Sequence, residues 1–111
     1  MRAITQGGNL VAATPTTIYT VPTGYYAKWN LMYLLNGTGS TKTISVTWHD
    51  ASASTDILIL SDYGLSSKNY FRLDGGAYVV MEAGDYITMT SEAGSTMSYI
   101  CTFEVEKKEG L

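Results

Sequence analysis

The sequence has 111 residues and a formal net charge of −3, which fits one domain large enough to bury a core of its own. Its seven Lys and Arg are scattered, which argues against a protein that binds nucleic acid by charge. Cys101 is the single cysteine, so no intrachain disulfide can form. The first residues lack the apolar segment of a signal peptide, and no apolar run reaches the roughly 18 residues of a membrane span, so we expect a cytoplasmic site of synthesis.

The N-terminal segment reads as a flexible arm followed by the first strands. Residues 1–8 contain the Gly7-Gly8 pair, which predicts a flexible arm that could move or reach a neighbouring molecule. Strands are expected over residues 9–13 and 17–21, separated by Pro15. The folded domain is expected to span residues 9–106.

The strongest β signal is the stretch Lys28–His49. It reads as two long strands, 28–36 and 42–49, joined by a Gly- and Thr-rich turn, and therefore predicts a hairpin. Period-two alternation assigns one face to the core, and its members are Trp29, Leu31, Tyr33, Leu35, Ile44, Val46 and Trp48. The other face of the first strand is also apolar, so we expect Met32 and Leu34 to be covered by another strand, a neighbouring subunit or a shell.

The rest of the chain continues as short strands and turns. The segment 61–68 is expected to be a polar connection, residues 74–76 a hairpin turn, and residues 107–111 a charged tail. Further strands are expected over 56–60, 69–73, 78–81, 86–90 and 97–106. About eight strands with turns every 8–12 residues and no helix predict an all-β protein, an antiparallel β-sandwich or jelly roll.

Few residues suggest chemistry. His49 is the single histidine, followed by Asp50, and we expect it to bond its own loop rather than serve as a general base. Cys101 shares a strand face with apolar residues and is expected to be a buried thiol. Loop carboxylates leave a calcium site open as an alternative, although no Asp-x-Asp-x-Asp run supports one. We expect no catalytic residue, metal or cofactor.

The nine tyrosines are the most unusual feature of the composition. Tyrosine is enriched at protein interfaces because it offers a large contact area with a polar tip. Covering of sheet edges and binding of sugars are the alternatives. The expected interface combines the second apolar face with tyrosines near turns, namely Met32, Leu34, Tyr25, Tyr26, Tyr63, Tyr70 and Tyr78.

The sequence resembles small phage virion proteins of the jelly-roll type, in the class of capsid decoration (cement) proteins. The resemblance rests on the segments 17–24, 29–46 and 78–90, which carry the Val-Pro-Thr-Gly turn, the Asn-Gly-Thr-Gly turn and the Glu-Ala-Gly-Asp turn. It implies a structural virion protein that is not an enzyme, forms a symmetric oligomer, often a trimer, and binds the major capsid protein. A receptor- or glycan-binding module of a tail or fibre is the alternative that this resemblance leaves open.

Overall fold

The described residues fold into eight antiparallel strands in two layers. The computed structural model describes residues 2–108, and no side chain is described at residues 76–78. The strands are β1 (Arg2–Asn9), β2 (Thr16–Thr20), β3 (Tyr25–Asn36), β4 (Lys42–Asp50), β5 (Thr55–Leu65), β6 (Tyr70–Met81), β7 (Tyr86–Ser91) and β8 (Met97–Lys107).

The strands form two four-stranded sheets that face each other. The front sheet has the order β1-β8-β3-β6, and the back sheet has the order β2-β7-β4-β5. All neighbouring strands run antiparallel. The chain passes repeatedly from one sheet to the other, as in a jelly roll. The predicted all-β sandwich is therefore confirmed.

The core lies between the two sheets and has an aromatic centre. The rings of Tyr19, from β2, and Phe103, from β8, stack with centroids 4.7 Å apart, and the Trp29 ring lies 6.1 Å from that of Phe103. Stacked pairs of this kind contribute about 0.5–1.5 kcal/mol each beyond the area that they bury. Around them the inner faces contribute fully buried residues such as Met32, Leu34, Ile44, Val46, Met81, Ile87 and Met89.

The stretch Lys28–His49 is not a hairpin. Strand β3 belongs to the front sheet, where it pairs with β6 and β8, whereas β4 belongs to the back sheet and pairs with β5 and β7. The loop over residues 37–41 therefore crosses from one layer to the other. Both strands carry an apolar inner face. Two such strands can bury these faces by packing in opposite sheets, as here, or by lying next to each other as a hairpin in one sheet.

A β-bulge at Asn30 reverses the predicted faces of β3. Trp29 pairs with Phe103 and Leu31 pairs with Thr102, so Asn30 has no partner in β8. The extra residue shifts the alternation by one position. Trp29 is buried as expected, but Leu31, Tyr33 and Leu35 lie on the outer face of the front sheet. The prediction that these three residues form the core is wrong, because Met32 and Leu34 fill those positions.

Ile44 and Val46 are buried in β4 as predicted. Trp48 contacts the core but is only half-buried.

The N-terminal segment is a strand rather than an arm. Every residue of β1 is paired with β8, from Arg2 opposite Val105 to Asn9 opposite Ser98. The Gly7-Gly8 pair that suggested a flexible arm is compatible with a regular edge strand, because the backbone supplies the hydrogen bonds. Residues 10–15, where the sequence predicted most of the first strand, form a turn instead.

Two other boundaries differ from expectation. Strand β5 continues to Leu65, so much of the expected connection over 61–68 is strand. Strand β6 extends from Tyr70 to Met81, but its pairing with β3 jumps from Asp74 opposite Leu31 to Val79 opposite Trp29. The backbone between these pairs protrudes from the ladder, and Gly75 within it has a φ of +134°. That conformation favours glycine, so the Gly-Gly pair marks a protrusion within one strand rather than the turn between two strands that the sequence predicted. Of the tail, Lys108 donates its backbone N–H to the Gly24 carbonyl at 2.8 Å, and residues 109–111 lie outside the described residues.

Candidate partner-binding surface

The candidate sites are open surfaces. No pocket opens among the residues that the structure describes. Across the same residues, no three His, Cys, Asp or Glu side chains gather into a group that could hold a metal ion. The described segments also contain no helix long and apolar enough to cross a membrane.

The bulge at Asn30 builds an apolar surface on the front sheet. Downstream of it the outer side of β3 displays leucine and tyrosine rather than polar side chains. Neighbouring strands extend this surface, because Ile100 of β8 lies opposite Tyr33 and Tyr70 of β6 lies opposite Leu35. We call this surface the outer patch, and its members are Leu31, Tyr33, Leu35, Tyr70 and Ile100.

Two members of the outer patch are well exposed to solvent. Tyr70 is 56% exposed and Ile100 is 42% exposed. The Tyr33 and Tyr70 rings stack with centroids 5.5 Å apart, which fixes both side chains against the sheet. Ile100 is uncovered on one side because its other neighbour, on β1, is Gly7. A rigid aromatic pair beside exposed aliphatic groups is typical of a protein-binding surface.

Charged residues border the outer patch. Arg72 and Asp74, on the same side of β6, form an ion pair with 3.2 Å between Nε and Oδ2. On the other side Lys28 lies opposite Glu104, whose carboxylate accepts a hydrogen bond from the Asn30 amide at 2.8 Å. An apolar centre with a polar border is the usual arrangement of a protein interface.

The tyrosines predicted to form an interface are not gathered on one surface. Tyr70 belongs to the outer patch, while Tyr63 lies on β5, where its ring meets Phe71 edge-on at 5.1 Å. Tyr25 is half-buried against the core. Tyr26 donates its hydroxyl to the Glu106 carboxylate at 2.5 Å, and this hydrogen bond raises the pKa of Tyr26 above its ordinary value.

Met32 and Leu34 are not interface residues. Both are fully buried between the two sheets, so the back sheet of the same chain covers them. Their expected protection from water is confirmed, and their expected contact with a partner is wrong. Tyr78 lies outside the residues whose side chains are described.

His49 is the centre of a polar cluster on the outer face of the back sheet. Its Nδ1 lies 2.7 Å from the Asp56 carboxylate, and its Nε2 lies 2.8 Å from the Thr88 hydroxyl. The Tyr86 ring stacks on the imidazole at 4.2 Å with an interplanar angle of 8°. The sequence suggested Asp50 as the neighbouring carboxylate, but the fold supplies Asp56 from β5 instead.

The order carboxylate, imidazole, hydroxyl is one that can activate a nucleophile. Such chemistry also needs a concave site that holds the substrate against the hydroxyl. No pocket opens among the described residues around Thr88, so they enclose no such site. We therefore interpret the cluster as a cross-strand connection between β4, β5 and β7.

Two buried polar residues at the sheet ends were missed by the sequence reading. Asp85 accepts hydrogen bonds from the backbone N–H groups of Ala51 and Glu82, both at 3.0 Å, and from the Trp48 indole at 3.4 Å. The Asn36 amide donates to the carbonyls of Ser40 and Leu65 at 2.9 and 2.8 Å. Their positions at strand boundaries predicted turn residues, but only the fold shows that other loops converge on them.

Cys101 is buried on the inner face of β8. Burial raises the pKa of this thiol to about 12. The thiolate is the reactive form of cysteine, so this group is inert near neutral pH. The prediction of a structural thiol is confirmed.

Comparisons with known proteins support the architecture. No family model matches the sequence, and no curated protein matches it significantly. The solved structures that it resembles include a protein of Bacillus endospore appendages, described as disulfide-linked pili, with a TM-score of 0.50, 14% identity, and coverage of 95% of this chain and 88% of that chain. They also include the Eiger TNF of S. frugiperda, with a TM-score of 0.50, 13% identity, and coverage of 97% and 94%. At these identities the likeness shows the fold, and the chain is a jelly-roll sandwich along nearly its whole length.

Proposed function

We propose that this chain is a structural protein without enzymatic activity, which decorates and stabilises a phage capsid in many copies. The partner would be the major capsid protein, and the chain would act as a symmetric homo-oligomer, with a trimer favoured by the resemblance to decoration proteins. Its location would be the virion, after assembly in the host cytoplasm.

The observation that carries this proposal is the outer patch. An exposed Tyr70 and Ile100 on a sheet face without a described pocket suit contact with another protein surface better than capture of a small molecule. The stacked Tyr33–Tyr70 pair is already ordered, so little side-chain entropy is lost on binding. Many copies on one particle would also gain avidity from modest individual contacts.

The resemblance to an appendage protein agrees with a structural role, although that likeness concerns the fold. The pili of that protein are described as disulfide-linked. Here Cys101 is buried in the core, so it is not accessible for a link of that kind.

The direct test is quantitative mass spectrometry of purified particles. Decoration predicts the chain in a fixed, high ratio to the major capsid protein, and its absence from particles would refute the proposal. The double variant Tyr33→Ser/Tyr70→Ser should lose binding to particles that lack the protein. Tyr86→Ser is the matched control, because it removes a half-buried tyrosine from the outer face of the other sheet. Both variants should be compared at equal folded fraction, measured by thermal unfolding.

A second candidate function is glycan binding by a tail or fibre. The observation that favours it is the His49–Tyr86 stack, with the exposed Asp56 carboxylate beside it. Aromatic faces with adjacent hydrogen-bond acceptors suit sugar rings. This function predicts few copies per particle and a glycan-array signal that Tyr86→Ser abolishes while Tyr33→Ser/Tyr70→Ser leaves it intact.

A further inference from the structure

The four edge strands of the sandwich differ in how well they are protected against pairing with another chain. Edges are usually protected by shortness, bulges, proline or charge. Strand β2 has five residues and an irregularity between Thr17 and Tyr19. Strand β5 has two register shifts against β4. Strand β6 carries the distortion at Gly75 and the charges of Arg72 and Asp74.

Strand β1 has none of these protections. Its pairing with β8 is regular over the whole strand, without a register shift. It contains no proline, and its one charged residue, Arg2, lies at its beginning. It is therefore the one edge of the described sandwich that offers an even row of free backbone groups to a further strand.

The free backbone groups of β1 can be identified from the ladder. Leu10 donates its N–H to the Met97 carbonyl at 2.8 Å, which continues the β1–β8 register by one pair. Directly opposite residues in an antiparallel ladder alternate between bonded and non-bonded pairs. The even-numbered residues of β1 therefore bond to β8. The N–H and C=O groups that point away from the sandwich belong to Ala3, Thr5, Gly7 and Asn9.

We propose that β1 pairs with β1 of a second copy of this chain, antiparallel and about a two-fold axis at Gln6. In this register Thr5 lies opposite Gly7 of the copy, and Ala3 lies opposite Asn9 of the copy. Each such pair exchanges both backbone hydrogen bonds, so all the outward-facing groups named above are satisfied. The two front sheets become one continuous sheet of eight strands.

The side chains of β1 fit β1 of a second copy better than they fit the other edge strands that a copy could offer. Arg2 falls beyond the paired span, so no like charges oppose each other. Ile4 lies opposite Gly8 of the copy, where no Cβ obstructs it. The edges that a copy could offer instead are bulged or charged, so a regular ladder with them is disfavoured.

The proposed pairing does not rest on the capsid role, since it concerns the isolated chain and uses β1 rather than the outer patch. It makes a two-fold pair the basic symmetric unit, in place of the trimer that the resemblance favours. Loss of particle binding in the Tyr33→Ser/Tyr70→Ser variant would leave β1 pairing unchanged. A chain that pairs through β1 but is absent from particles would refute only the capsid role.

Cysteine cross-linking of the purified protein tests the pairing and its register. Directly opposite Cα atoms in a non-bonded pair are about 4.5 Å apart, within the range of a disulfide. Gln6→Cys should therefore form a disulfide-linked dimer under mild oxidation. Ala3→Cys is the matched control on the same strand, because its equivalent in the copy lies about 20 Å away. Buried Cys101 should not take part.

A proline variant separates edge pairing from folding. The Thr5 N–H faces the free edge, so Thr5→Pro removes a bond to the copy without breaking the β1–β8 ladder. In the Gln6→Cys background this change should abolish the cross-link while the thermal unfolding midpoint stays near that of Gln6→Cys. The proposal is overturned if Gln6→Cys remains monomeric, if Ala3→Cys cross-links equally well, or if Thr5→Pro leaves the dimer in place.

Discussion

Asp85 connects the loops at one end of the back sheet through the hydrogen bonds of its carboxylate. Its carboxylate accepts three hydrogen bonds, two from backbone N–H groups and one from the Trp48 indole, while it is almost fully buried. Asp85→Ala would leave these donors without an acceptor, and we expect a loss of about 2–4 kcal/mol in the free energy of unfolding. Urea denaturation measures this loss. Asp74→Ala, on an exposed ion pair, should change stability by less than about 0.5 kcal/mol, and equal effects of the two changes would contradict the role of Asp85.

Cys101 gives the protein a specific response to alkaline pH. Burial raises the pKa of the folded thiol to about 12, whereas an unfolded thiol titrates near 8.5. The stabilisation that comes from the protonated Cys101 thiol is therefore fully present below about pH 8.5. It is lost as the pH rises toward 12, because the thiol of the unfolded state releases its proton at lower pH than the folded one. Between these two pH values, the free energy of unfolding should fall with pH more steeply in the unmodified protein than in Cys101→Ala. The difference in slope should reach up to about 1.4 kcal/mol per pH unit. Urea midpoints at pH 8 and pH 10.5 test this, and parallel changes in both proteins would rule it out.

At the scale of the element, the bulge at Asn30 decides which face of β3 enters the core. Met32→Ala should cost about 2–5 kcal/mol, because Met32 is fully buried and its truncation leaves a cavity. Leu31→Ala should cost less than half as much, since Leu31 lies on the outer face. The same contrast is expected between Leu34→Ala and Leu35→Ala. Urea denaturation of the four variants would show the opposite order if β3 alternated without a bulge.

The elements show why the sequence reading succeeded in some places and failed in others. Ile44 and Val46 alternate with polar residues in an unbroken stretch of β4, so their burial could be predicted. In β3 both faces are apolar, and nothing in the local pattern reveals that Asn30 is an extra residue. The sequence therefore indicated correctly that both faces of β3 are apolar. After Asn30, however, the face predicted to enter the core is the outer face, and the other face is buried.

The failures at longer range have a different cause. A Gly- and Thr-rich loop after Asn36 is equally compatible with a hairpin and with a crossing between sheets, because both need a reversal of direction. Similarly, the pairing of β1 with β8 joins the two ends of the described chain, and no local preference encodes it. The outer patch could not be located for the same reason, since it combines β3, β6 and β8.

For the molecule as a whole, the topology makes folding slow. Among the described strands, only β4 and β5 are neighbours both in sequence and in a sheet, and the pairs β1–β8, β2–β7 and β3–β8 each join distant segments. Closing such long loops costs entropy before any contact forms, and sandwiches of this kind fold in milliseconds to seconds.

This topology leads to a kinetic prediction that uses Trp29, which is fully buried in the core. Its fluorescence in stopped-flow refolding should follow this millisecond-to-second phase. Inserting four glycines at Ser52 doubles the length of the β4–β5 turn, which lies between Asp50 and Thr55. Because doubling a loop costs about 0.6 kcal/mol in closure free energy, folding should slow by no more than about threefold. Refolding complete within microseconds would show that local contacts such as the β4–β5 hairpin, rather than the long-range pairing, limit the rate.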